Sequence, residues 1–143
     1  MRRMYLVVPM VMALAGCVTK PPRPDQLRTP TPDRLLAFQD PSDGDATVIV
    51  TRDVGFQGSG CYGAVFVDGK VVAKVATGER ITLHIPSGDH VLGTWNTGSG
   101  LCGYREGKDR RETAVTLKTG ETRRFRIIID PNAGPSLAPT TIE

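Results

Sequence analysis

The residues with the greatest chemical reach in this chain are two histidines, His84 and His90, two glycine-flanked serines, Ser59 and Ser99, and three cysteines, Cys17, Cys61 and Cys102. Nucleophilic catalysis needs a hydroxyl or thiol with a base in reach and an orienting group behind that base. Neither serine stands in a Gly-x-Ser-x-Gly frame between a strand and a helix, so both read as loop serines. A metal site would need His84 and His90 to converge with a carboxylate such as Asp89. Alternation along the strand instead places His84 on a polar face with Arg80 and Thr82, and both histidines read as rim residues that hydrogen-bond locally. There is no Cys-x-x-Cys, and no histidine lies close in sequence to Cys61 or Cys102, which argues against a redox or metal centre there. The chain is therefore read as a non-enzyme with no catalytic residue, no metal and no cofactor, and a cryptic hydrolase is the third choice among the functional readings.

Binding chemistry has better candidates. Arg123, Arg124 and Arg126 cluster on one strand-like segment, and Arg105, Lys108, Arg110 and Arg111 crowd a glycine-rich loop in which Glu106, Asp109 and Glu112 largely cancel them. Arg105, Arg110, Arg111, Arg123, Arg124 and Arg126 form the candidate contact surface, suited to an anionic envelope component or an acidic partner protein. The plainer reading is a solvated face and a solvated loop. Trp95, Tyr62 and Tyr104 offer the alternative of a polysaccharide- or peptidoglycan-binding module, although core or strand-end packing accounts for Trp95 and Tyr62 more simply.

The location of such a module is written at the start of the chain. Arg2 and Arg3 precede an apolar run of 13 residues, Met4 to Gly16, which fits a signal-peptide core and falls short of the ~20 residues that cross a bilayer. The run ends in Leu14-Ala15-Gly16-Cys17, which resembles the lipobox of bacterial lipoprotein signals. That resemblance implies removal of residues 1–16 and acylation of Cys17 as the mature N-terminus, a stable attachment to the membrane. With Val18 rather than an aspartate next, it implies the outer membrane, facing the periplasm, in a cell that has two. It also sets Cys17 aside, leaving Cys61 and Cys102 as an even pair in a compartment that permits disulfides. Both lie beside Gly-Ser-Gly segments that let two loops approach, so a Cys61–Cys102 bond is expected, worth ~4 kcal/mol in the chain-entropy description. Of 18 Lys and Arg against 15 Asp and Glu, Arg2 and Arg3 leave with the signal. The remaining 16 nearly balance the acids, which excludes a nucleic-acid binder.

The elements that would position these residues follow from composition. Residues 17–45 comprise the lipidated N-terminus and a segment with six prolines, expected to be a disordered tether. Within it Asp33 to Phe38 could make one helical turn that docks Leu35, Leu36 and Phe38. From 46 to 130 the apolar residues alternate with polar ones, the period of half-buried strands. Ile81, Leu83 and Ile85 mark one strand, and Phe125, Ile127 and Ile129 another. Asp68-Gly69 is a type I′ hairpin signal, predicting that Phe66 faces Val71 and Ala64 faces Ala73 on a core face. Reversals at Pro86-Ser87-Gly88 and Lys118-Thr119-Gly120 complete an all-β, two-sheet antiparallel immunoglobulin-like sandwich of about seven short strands. Residues 131–143 are expected to be a flexible tail.

The run Val65-Phe66-Val67-Asp68-Gly69-Lys70-Val71-Val72-Ala73, followed by Ile81-Thr82-Leu83-His84-Ile85-Pro86-Ser87-Gly88-Asp89-His90, resembles PEGA-type and related small β-sandwich domains of bacterial lipoproteins. Over roughly residues 46–130 the resemblance implies a fold and an envelope setting, and no activity. The sequence thus describes a lipid-anchored binding or structural accessory module, with edge strands or the glycine-rich loops at the disulfide end of a rigid sandwich as its contact surface.

Overall fold

A computed structural model describes residues 19–103 and 110–143. Among the described residues eight strands form: β1 (Ala46–Arg52), β2 (Tyr62–Val67), β3 (Lys70–Val75), β4 (Arg80–Ile85), β5 (Gly88–Thr97), β6 (Arg111–Leu117), β7 (Thr122–Asp130) and β8 (Gly134–Pro139). They make two four-stranded sheets, β4-β1-β7-β8 and β3-β2-β5-β6, packed as a sandwich. The period-two pattern supplies the core: Val48 and Val50 of β1, Leu83 and Ile85 of β4 and Phe125 and Ile127 of β7 meet Val65 and Val67 of β2, Leu92 of β5 and Leu117 of β6. These side chains are fully buried or nearly so, and at ~1.5–3 kcal/mol per large side chain their burial is the main drive to fold. Asp45 ties two crossover corners together, accepting from the Ser87 amide and hydroxyl and from the Thr119 hydroxyl.

Several expectations change. The eighth strand, β8, replaces the loose tail: it pairs antiparallel with β7 and buries Pro135 and Leu137. Its prolines concealed it, yet β8 is an edge strand, a position where a sheet tolerates them. The sandwich is not purely antiparallel, because β1 runs parallel to β7. Asp68 and Gly69 do take positive φ, at 50° and 80°, and Phe66 does pair with Val71. A register shift after Phe66 then sets Val65 against Ala73 and Ala64 against Lys74, so the expected Ala64–Ala73 pairing is not made. Phe66 is fully buried, but on the outer side of its sheet. Its ring covers Gly93, where a Cβ would collide with it, and lies 4.6 Å from the Trp95 ring.

The segment expected as a tether is extended but held along the sandwich. Thr19 is 5% exposed and its hydroxyl accepts from the Ile129 amide. Lys20 and Val54 exchange two backbone bonds. Three 3-10 turns, Pro24–Gln26, Pro32–Arg34 and Pro41–Asp43, punctuate the path, each opened by a proline whose missing N–H is no loss there. Leu35, Ala37 and Phe38 pack on the core, whereas Leu36 remains 51% exposed. The helical turn is thus shorter and earlier than expected. The Arg34 fork grips Glu79 through two 2.6 Å bonds, closing 45 residues of sequence.

Candidate functional site

The end of the sandwich where β1 stops and β2 begins is organised by Arg52. Its position follows from alternation: Ala46, Val48, Val50 and Arg52 all point inward, so a cation is carried into the interior at 1% exposure. The guanidinium donates to the carbonyls of Cys61 at 2.6 Å, Val75 at 2.8 Å and Gly58 at 2.7 Å. Burial lowers its pKa from the ordinary arginine range to about 10, against a smaller opposing pull from Glu79, so it stays charged at neutral pH. Two of the three carbonyls lie in the loop that carries Cys61, and Cys61 is bonded to Cys102 with Cα atoms 5.3 Å apart. The expected disulfide is present. An open groove of about 540 Å³ runs over it, lined among others by Phe56, Asn96, Asp130 and Pro131. Phe56 is 87% exposed, and the Asn96 carbonyl oxygen is buried with no partner among the described residues.

Next to Arg52, Asp53 has no exposed side-chain surface and receives two bonds, 2.8 and 2.6 Å, from Arg126. Burial alone would raise the Glu79 carboxyl, but the Arg34 fork and the Ala76 amide hold it below the ordinary carboxylate range. These charges serve the architecture. Sequence reasoning missed Arg52, Asp53 and Glu79, although the parity of Arg52 with Val48 and Val50 was a readable signal.

The histidines lie in different sheets. His84 on β4 faces Thr47 of β1, and its amide donates to the Phe38 carbonyl. His90 bridges two turns, with Nδ1 2.7 Å from an Asp68 carboxylate oxygen and Nε2 2.9 Å from the Pro86 carbonyl. Since a carbonyl and a carboxylate only accept, both nitrogens donate best when the ring is protonated. Partial burial works against that charge, but the bonds to Asp68 and Pro86 and the charges of Asp68 and Asp89 together raise the pKa above its usual 6.5. His90 makes the side-chain contacts expected of a rim residue. Among the described residues no group of three or more His, Cys, Asp and Glu side chains is placed to hold a metal ion.

The expected arginine surface is divided. Arg110 stands over the rings of Phe66, at 4.6 Å, and Trp95, at 5.4 Å, and pairs with Glu112 at 2.6 Å. Arg111 donates to the Ala133 carbonyl. Arg126, expected to face solvent, is 17% exposed and committed to Asp53. Arg34 covers the Tyr62 ring at 4.8 Å, so Trp95 and Tyr62 each present a ring face to a guanidinium. Arg123 and Arg124 remain at the opposite end of the sandwich, 41% and 34% exposed. They line an open groove of about 670 Å³ with Thr122, Pro139, Thr140, Thr141 and Ile142, whose wall continues β8 through the Thr140 amide to the Arg124 carbonyl. Arg123 pairs with Glu121 at 3.3 Å. Arg124 meets Glu143 at 3.6 Å, and that carboxylate is 88% exposed. Cys17, Tyr104 and Arg105 lie outside the described residues.

No protein-family model matches the chain, and comparison with curated proteins and with solved structures finds no relative. No helix among the described residues is long and apolar enough to cross a membrane.

Proposed function

We propose that the chain is a lipid-anchored module of the bacterial cell envelope that acts by contact rather than turnover, with the groove around Arg124 as its contact surface. The anchor is supported by the Leu14-Ala15-Gly16-Cys17 resemblance, and the envelope setting also by the resemblance to PEGA-type sandwich domains. The Cys61–Cys102 bond is consistent with an oxidising compartment.

One observation carries the contact assignment. Of the arginines expected to form a surface, Arg124 combines an open groove with a weak internal partner, a 3.6 Å pairing to an almost fully exposed carboxylate at the end of the chain. Such an exposed pair is worth little in water, typically below ~1 kcal/mol. A partner's carboxylate or other anion can displace Glu143 without opening the fold, while the apolar edge from Pro139 and Ile142 adds area. In-cell crosslinking followed by affinity purification and mass spectrometry tests this. Arg124→Glu should leave the melting temperature within a degree or two and deplete the crosslinked partner. An unchanged set of partners would overturn the assignment of the surface.

A further inference from the structure

The docked N-terminal segment leaves little chain between the anchor and the domain. Thr19 is buried and bonded to Ile129, Lys20 is paired to Val54, and Cys17 is two residues earlier. Two residues reach at most about 7 Å. The headgroup layer on each side of a bilayer is itself roughly 5–8 Å deep. Acyl chains on Cys17 must lie in the hydrocarbon, so the point where the chain enters the sandwich is held within or against the headgroups.

What surrounds that entry point suits such a position. Phe56, 87% exposed, is two residues from Val54, and Gly55 packs on the Thr19 side chain. Phe56 lines the same groove as Ile129, whose amide binds Thr19. The Phe56 loop cannot simply swing away, because its far end is fixed by the Cys61–Cys102 bond and by Arg52 on the Gly58 and Cys61 carbonyls. A large aromatic side chain exposed on a rigid, glycine-rich loop is poorly explained by folding and well explained by an interfacial environment.

We infer that the disulfide end of the sandwich rests on the lipid bilayer, with Phe56 inserted at the interface as a second, non-covalent anchor. The Arg124 groove is then at the far end, directed away from the lipid. This orientation rests on the acyl anchor at Cys17 proposed above. The test uses the full-length protein, extracted from cells and reconstituted into phosphatidylethanolamine/phosphatidylglycerol vesicles. A photo-crosslinking phenylalanine analogue replaces Phe56 in one sample and Ile142, at the opposite end, in another. Acylation of Cys17 is read by mass in both. The expected result is a several-fold excess of lipid crosslinks at 56 over 142. Equal, background-level crosslinking in acylated protein would overturn the orientation while leaving the anchor intact. Absence of acyl chains on Cys17 would overturn both. Phe56→Ser, which removes no core contact, should fold normally and make the acylated protein easier to extract from vesicles at high pH.

Discussion

Replacing Arg52 with methionine tests how the disulfide end is held. Methionine keeps most of the apolar stem and removes the fork, so three carbonyls lose their donor. The Val75 contact is buried and those to Gly58 and Cys61 are part-buried. An unsatisfied buried acceptor costs about 1–3 kcal/mol, and one that water reaches costs less. Against this, the variant no longer buries a cation whose desolvation pulls its pKa down to about 10, and that relief offsets part of the loss. The balance is a destabilisation of about 2–4 kcal/mol, a large share of the 5–15 kcal/mol typical of a domain. Arg52→Lys, which keeps the charge but offers no planar fork, should lose about half as much. Because Arg52 and the disulfide restrain the same loop, Arg52→Met and Cys102→Ser should be non-additive in a double-mutant cycle. Urea unfolding gives the energies, and amide exchange of residues 56–61 shows whether this loop loosens first. An Arg52→Met variant within about 0.5 kcal/mol of wild type, or strict additivity with Cys102→Ser, would refute the reasoning.

Three further outcomes follow. Reduction, or Cys102→Ser, should lower the melting temperature, and the intact oxidised protein should show no titratable thiol at Cys61 or Cys102; two free thiols under native, non-reducing conditions would contradict the bond. The folded pKa of His90 is raised, so its stabilisation is complete below the unfolded value of 6.5 and is lost as pH climbs through the higher folded value. The melting temperature should therefore fall at that step in wild type and not in His90→Gln, and identical profiles would remove the His90–Asp68 bridge from the account. Thr94 is fully buried, and its hydroxyl has no partner among the described residues. Thr94→Val should therefore be neutral or stabilising by up to about 1 kcal/mol in urea unfolding, whereas a loss above that would reveal a bond the hydroxyl makes.

Most of the sandwich was legible because its strands are local patterns. Val48 and Val50, Leu83 and Ile85, and Phe125 and Ile127 each state an inward face within one strand, and Asp68-Gly69 fixes its own turn. What was not legible is non-local. Nothing near Arg34 announces Glu79, and nothing near Thr19 announces Ile129, so a proline-rich segment with few apolar residues read as a tether. β8 lacks a strand pattern because Pro135 and Pro139 interrupt it, and its place depends on an open edge of β7. The candidate site was legible in residue type and only partly in arrangement. Arg124 sits on an accessible groove, but Arg126, two residues along the same strand, is drawn to Asp53, whose burial alternation alone does not reveal.

The central claim, a contact module held on the membrane by lipid, is tested most directly by the intact mass of the protein extracted from the membrane fraction. The account predicts a chain that begins at Cys17 and carries three acyl chains, with Cys17→Ala moving the protein to the soluble fraction. A membrane-associated chain that bears no lipid at Cys17, or a Cys17→Ala variant that fractionates unchanged, would contradict it.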